Sequence, residues 1–203
     1  TEGFRDVLEI GRQMRTQMYS VRLRPETPIF LAPGARRVGV MERIGSDGNI
    51  IMPLNEDSLI RAVEELLIQG VDALAITFLF SFVNPVHELQ AQEIILKKWP
   101  RLIVSLSSQV DPVFREYERT VVTAFDAYIK PTVDTYLSNL TKALQNEGVN
   151  APLQVMQSRG GLAGCKTARA RPVRLFLSGP AGGVIGSLCL LYTSDAADDT
   201  SRG

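Results

Sequence analysis

Residues 55–106 read NEDSLIRAVEELLIQGVDALAITFLFSFVNPVHELQAQEIILKKWPRLIVSL, and this stretch decides the fold. Asn55 or Asp57 can cap a helix on which Leu59, Ile60, Val63, Leu66 and Leu67 recur at helical spacing, and Gly70 ends it. Residues 71–82 then form a near-continuous apolar run, the pattern of a parallel strand buried on both faces. Asn84-Pro85 opens a second helix carrying Leu89, Ile94, Ile95 and Trp99, which stops at Pro100. Residues 102–106 return as a strand. Strand and helix in turn predict an α/β fold with a parallel, right-handed crossover.

Toward the N-terminus, residues 1–18 read as a helix that Thr1 can cap, with Phe4, Val7, Leu8, Ile10 and Met14 roughly on one face. Residues 21–23 and 29–31 are short extended pieces among prolines. The turn signal Ser46-Asp47-Gly48-Asn49 separates a strand-like run, 37–44, from Ile50-Ile51-Met52, so 37–53 is expected to be a hairpin. Toward the C-terminus, residues 113–146 are the longest helical candidate. Val121, Val122, Phe125, Tyr128, Ile129, Val133, Tyr136, Leu137, Leu140 and Leu144 recur there at steps of three and four. Pro131 interrupts the run, so a kink or a junction of two helices is expected.

The 203 residues suggest one or two domains. Twenty-two basic and 22 acidic residues cancel, which removes the electrostatic argument for a nucleic acid or a membrane surface as partner. No apolar run reaches the ~18 residues of a membrane span. Cys165 and Cys189 form no C-x-x-C pattern and no disulfide framework. With no signal peptide, a cytoplasmic location is expected, and the missing initiator Met suggests a piece whose N-terminus lies upstream.

Candidate chemistry concentrates in Met156 to Gly186, MQSRGGLAGCKTARARPVRLFLSGPAGGVIG. Two apolar runs, 152–156 and 173–177, are read as strands feeding small-residue turns. These turns are Ser158-Arg159-Gly160-Gly161 and Ser178-Gly179-Pro180-Ala181-Gly182-Gly183, and an apolar helix follows the second. Such a turn opening a helix can hold an anion through backbone N–H groups and the positive helix end. Equally, the glycines can serve tight connections at positive φ. Neither the Walker nor the dinucleotide pattern is present. Lys166, Arg169, Arg171 and Arg174 form a basic cluster between the turns, as a phosphate-attracting patch or a solvated face.

Elsewhere the signals are weaker. His87 is the sole histidine and falls in the first turn of a helix, where a structural or surface role is expected. Glu116 and Arg119 are i, i+3 neighbours in Phe114-Arg115-Glu116-Tyr117-Glu118-Arg119-Thr120; solvated helical ion pairs are one reading, and Arg119 facing a carboxylate or phosphate in a cleft is the other. Cys165 has no base motif, and Ser158 and Ser178 lack the G-x-S-x-G setting of a hydrolase nucleophile.

Six segments in register resemble the hydantoinase A / 5-oxoprolinase family. They are TEGFRDVLEIGRQ at 1–13, Glu42-Arg43-Ile44, Asn84-Pro85 with His87-Glu88, Arg115-Glu116-Tyr117-Glu118-Arg119-Thr120, Met156-Gln157-Ser158-Arg159-Gly160-Gly161-Leu162 and Ser178-Gly179-Pro180-Ala181-Gly182-Gly183. The likeness covers residues 1–188. It implies a fragment of the actin-like ATPase (ribonuclease H-like) superfamily, α/β with a parallel or mixed sheet and a long kinked helix. Residues 1–118 would end the family's N-terminal region and 119–188 begin its A region.

The resemblance further implies that ATP phosphorylates an amide or enolate oxygen before hydrolysis or carboxylation, with Mg²⁺ neutralising charge. It implies a cyclic amide substrate, hydantoin or 5-oxoproline, and a hydantoinase B-like partner subunit or domain. By carry-over, Ser158, Gly160, Gly161, Ser178, Gly179, Pro180, Ala181, Gly182 and Gly183 would line the nucleotide or substrate cleft, with Glu116 and Arg119 beside them. An acetone-type carboxylase β subunit, or a non-catalytic docking scaffold, is the alternative.

Two departures matter. The family's Asp-x-Gly-Gly-Thr phosphate loops are absent, so the chain alone is expected not to hydrolyse ATP, and no catalytic residue is assigned. Arg159 stands where the family has a small polar or acidic residue. From Cys189 the composition changes abruptly, and CLLYTSDAAD resembles one reading frame of a transposon-type sequencing adapter. Residues 189–203 are therefore expected to be a non-native tail.

Overall fold

The computed structural model describes residues 1–12, 19 and 31–193. The expected extended pieces at 21–23 and 29–31, apart from Leu31, and most of the tail lie outside the described residues. The chain divides into two compact units, Thr1–Pro131 and Thr132–Gly203.

In the first unit, α1 (Val7–Ile10) is a single turn, much shorter than the expected helix. Gly11 closes it at φ 57°, and residues 13–18 are not described. Thr1 does not cap it. Its hydroxyl bonds to the Glu42 carboxylate and accepts from the Leu79 amide at 2.9 Å. The expected hairpin is present as β1 (Arg43–Ile44) and β2 (Ile50–Met52), antiparallel, with a first strand shorter than expected. Its turn is fixed by Asp47, whose carboxylate accepts from the Asn49 amide at 3.0 Å.

Helix α2 (Glu56–Ile68) starts where the sequence places it. Asn55 is its N-cap and accepts from the Ser58 amide at 2.7 Å. Replacing Asn55 with alanine is expected to cost about 1 kcal/mol in denaturant unfolding, because that amide loses its partner. Gly70, at φ +73°, supplies the left-handed residue after the helix.

Strand β3 (Ala73–Ile76), helix α3 (Val86–Lys98) and strand β4 (Ile103–Leu106) form the predicted crossover unit. β3 and β4 pair in parallel, from Ala73 opposite Ile103 to Ile76 opposite Leu106. The expected strand over 71–82 is cut to four residues. Beyond Ile76 the main chain leaves the ladder, for a reason visible at Phe78 and described below. The core of this unit joins Leu59 and Val63 of α2, Ala91 and Ile95 of α3, and Leu74, Ile76, Val104 and Leu106 of the two strands.

A turn of helix, α4 (Ser107–Val110), leads to α5 (Glu116–Asn146), 31 residues long with Pro131 inside it. It is one helix where a break was one of the two expectations.

The second unit contains an antiparallel pair, β5 (Gln154–Met156) and β6 (Leu162–Gly164), then α6 (Cys165–Ala170) and α7 (Ser178–Thr193). The expected strand at 173–177 is instead a 3₁₀ turn, Pro172–Leu175, with proline at its start. The fold is α/β with three separate two-stranded pairs, two antiparallel and one parallel, among the described residues.

Candidate functional site

In the first unit the chemistry is buried. Arg119, in the first turns of α5, has no exposed surface. Its Nη1 donates to the Val113 carbonyl and its Nη2 to the Phe78 carbonyl, both at 2.9 Å, and the guanidinium lies 5.2 Å from the Phe82 ring centre. Burial pulls its pKa below the ordinary arginine value, and the nearby charges of Glu88, Glu116 and Asp111 oppose that.

Glu88 is also completely buried. It accepts from the Phe78 amide at 3.0 Å, the Ser107 hydroxyl at 2.6 Å and the Ser108 amide at 2.9 Å. Phe78 thus gives its N–H to Glu88 and its C=O to Arg119. Both of its ladder groups are taken by side chains, which is why β3 stops short.

The solvated-pair reading of this stretch belongs to Glu118, not to Arg119. Glu118 accepts from Arg12 Nε at 2.9 Å and stands 3.7 Å from Arg115. Glu116 is exposed and lines, with Arg119, a cavity described below. His87 sits in the first turn of α3, as read, but not at the surface: it is 2% exposed, with Nδ1 2.7 Å from Glu42 Oε2. Asp126, likewise buried, accepts from the Ser105 hydroxyl at 2.7 Å.

Sequence reasoning assigned no role to Glu42, Glu88 or Asp126. For Glu88 a signal exists: it shares the i, i+3, i+7 face of α3 with Ala91 and Ile95, both buried. An acid on an apolar stripe needs buried partners.

In the second unit, Ser158, Gly160 and Gly161 lie in the β5–β6 hairpin, so this turn leads to a strand and opens no helix. Gly160 and Gly161 have φ of +82° and +79°, which L side chains rarely adopt. The Gly160 amide donates to Gln157 O at 3.0 Å, and the Ser158 amide to Arg174 O at 2.8 Å.

Ser178, Gly179, Pro180, Ala181, Gly182 and Gly183 do not form a turn. They are the first turns of α7, and the bend before them is at Leu177, φ 57°. Pro180 is tolerated because the first-turn amides of a helix have no intrahelical partner. The hairpin packs against α7: a Cβ on Gly160 would lie 2.9 Å from Ile185 Cδ1, and one on Gly182 3.5 Å from Met156 Cγ. A Cβ on Gly161, Gly179 or Gly183 would meet nothing within 4 Å.

The basic cluster is partly neutralised. Arg169 donates to Asp134 at 2.6 Å, which raises the arginine pKa. Cys165 is a free thiol with the Thr141 hydroxyl 3.7 Å from its sulfur. Among the described residues, no His/Cys/Asp/Glu group is placed to hold a metal ion, and no helix is long and apolar enough to cross a membrane.

Comparison with known proteins supplies what local geometry does not. The hydantoinase/oxoprolinase N-terminal region matches residues 1–99, and the hydantoinase/oxoprolinase domain matches residues 119–199. An uncharacterised protein of Methanocaldococcus jannaschii is 43% identical over 91% of this chain and 27% of its own length. Caprolactamase subunit alpha of Pseudomonas jessenii is 33% identical over 94% of this chain and 27% of its own length. The crystal structure of the ATP-dependent caprolactamase from that organism superimposes with a TM-score of 0.84 at 32% identity, covering 95% of this chain and 28% of that one. A nucleotide-free acetone carboxylase, solved in a study of ATP-dependent acetone carboxylation, gives a TM-score of 0.78 at 28% identity, over 95% of this chain and 28% of that one. The chain spans about a quarter of the length of these relatives.

Proposed function

The chain belongs to the hydantoinase/oxoprolinase family, and from that premise we propose that it is a segment of an ATP-dependent enzyme that opens cyclic amides. Its α/β units would be parts of an actin-like ATPase fold. Ser158, Gly160 and Gly161 of the hairpin and Ser178, Gly179, Pro180, Ala181, Gly182 and Gly183 of α7 would line the cleft. Glu116 and Arg119 are carried as further lining residues.

One observation carries this reading. Glycine inside a helix costs roughly 0.5–1 kcal/mol relative to alanine. Gly179 and Gly183 nevertheless sit in the first turns of α7, neither has a positive φ, and a Cβ on either would meet open space. Nothing in the described fold requires them to be glycine. Close approach of a phosphate chain to the backbone does require it, and the α7 N-terminus offers the positive end of a 16-residue helix.

Bound ATP would supply a phosphoryl group that activates the amide oxygen toward water. What this segment contributes is position: free first-turn amides that orient phosphate oxygens, and a hairpin held against α7 through Gly160 and Ile185. Mg²⁺, implied by the family chemistry, would be held by carboxylates of the phosphate loops that this sequence lacks.

The acetone carboxylase superposition favours a second reading, a carboxylase subunit segment activating an enolate oxygen. A third is a non-catalytic docking piece for a hydantoinase B-like partner; relatives named as subunits support a partner of some kind.

The test is phosphate release by the full-length protein with hydantoin, 5-oxoproline, caprolactam, or acetone plus bicarbonate. Coupled ring opening supports the first reading. Turnover only with acetone moves the assignment to the second. No turnover with any, together with tight partner binding, defeats both. The 203-residue chain by itself is expected to show no ATP turnover, and Mg²⁺-dependent release of phosphate by it would refute that.

A further inference from the structure

The first unit contains a cavity of about 170 Å³ whose lining includes Glu116 and Arg119, the two residues the nucleotide reading carries as further cleft residues. That volume compares with the apolar cavity of ~150 Å³ that admits benzene. Its walls are apolar in large part, with Leu74, Ile76 and Leu79 among them.

Set into those walls are polar groups with no partner. Arg119 Nε is buried and makes no hydrogen bond, although both its Nη atoms do. Arg37 Nε and Nη1 are buried and unpartnered, while its Nη2 donates to Glu9 at 2.9 Å. The Thr77 hydroxyl is buried and unpartnered. All three residues line the same cavity. A buried donor left unsatisfied is costly, and native structures place few of them. Among the described residues, four of the five such atoms, on three of four residues, belong to this cavity's walls.

The charge of the lining is predominantly positive. Among the described residues, four arginines line the cavity against one acidic side chain, Glu116, which is exposed. Two guanidinium edges and a hydroxyl in an apolar setting match a carboxylate, whose two oxygens accept several hydrogen bonds. The apolar walls match a small hydrocarbon body behind it.

We propose that this cavity is a binding site for a small monocarboxylate with an apolar body of about six carbons, held by Arg37, Arg119 and Thr77. The site is built wholly from the first unit and is independent of the Gly160–Gly183 assignment.

Calorimetric titration of the 203-residue chain with benzoate, benzamide and inorganic phosphate tests it. Benzoate is expected to bind saturably, with benzamide and phosphate each at least about tenfold weaker. Arg37→Gln and Arg37→Lys should each weaken benzoate at least about tenfold, the lysine because it keeps the charge but loses the fork. The ion-pair partner of Arg37 among the described residues, Glu9, is mostly exposed, so these variants should stay folded. Thr77→Val, which keeps shape, should weaken benzoate without changing the melting temperature. Equal affinity for benzoate and benzamide, tighter binding of phosphate, or no saturable binding of benzoate would overturn the proposal.

Discussion

Glu88→Ala is expected to destabilise the first unit by about 3–5 kcal/mol, the largest stability effect of any single side chain described here. The carboxylate is completely buried and accepts from two backbone amides and a hydroxyl. Removing it orphans those three donors and leaves the neighbouring buried Arg119 without its main opposing charge. The loss is structural as well as electrostatic. Phe78 would keep its carbonyl bond to Arg119 while its amide has nothing to meet. Glu88→Gln keeps one acceptor oxygen and the volume, and should cost less than half as much. Urea unfolding of both variants, with Lys97→Ala on the same helix as a control, measures this. A cost for Glu88→Ala within about 0.5 kcal/mol of the control would show that the network carries no weight.

The second large effect separates activity from stability. Gly183→Ala in the full-length protein is expected to reduce ATP-dependent turnover roughly 100-fold, because a methyl group displaces the phosphate chain from its productive position. The same change should leave folding unharmed or stabilise it by about 0.5–1 kcal/mol, since alanine is the better helix former and its Cβ enters open space. The combination is diagnostic. A glycine kept for packing would lose stability on substitution, and one of no consequence would lose neither stability nor turnover. Gly160→Ala behaves differently: at φ +82° and 2.9 Å from Ile185 Cδ1, it should lose both.

Where local pattern and local structure are set by the same residues, the sequence was readable. Asn55, Gly70 and Asn84-Pro85 act on their own helix ends, so α2 and α3 begin and end as read. The β3–α3–β4 unit followed from apolar runs and their spacing. The misreadings share a cause, a group satisfied by something far off in the chain. The run over 71–82 is apolar enough for a long strand, but Glu88 and Arg119 take the main chain of Phe78. Thr1 looks like a cap, but its hydroxyl is used by Glu42 and Leu79.

The Ser178–Gly183 segment was misread for a different reason. Its glycines and proline match a turn by composition, yet a helix can start on them because its first amides need no intrahelical partner. The helix α7 runs on to Thr193, into the residues expected to be a non-native tail. As for the candidate site, composition singled out Met156–Gly186 as the candidate, and the structure adds that hairpin and helix touch through Gly160–Ile185 and Met156–Gly182. The buried acids Glu42 and Glu88 escaped notice because the groups that satisfy them are distant in sequence.

Photoaffinity labelling of the full-length protein with an azido-ATP probe, followed by peptide mapping, tests the central claim most directly. The account predicts saturable labelling, competed by ATP, in peptides from residues 156–186. Saturable, ATP-competed labelling confined to peptides outside that segment would contradict it.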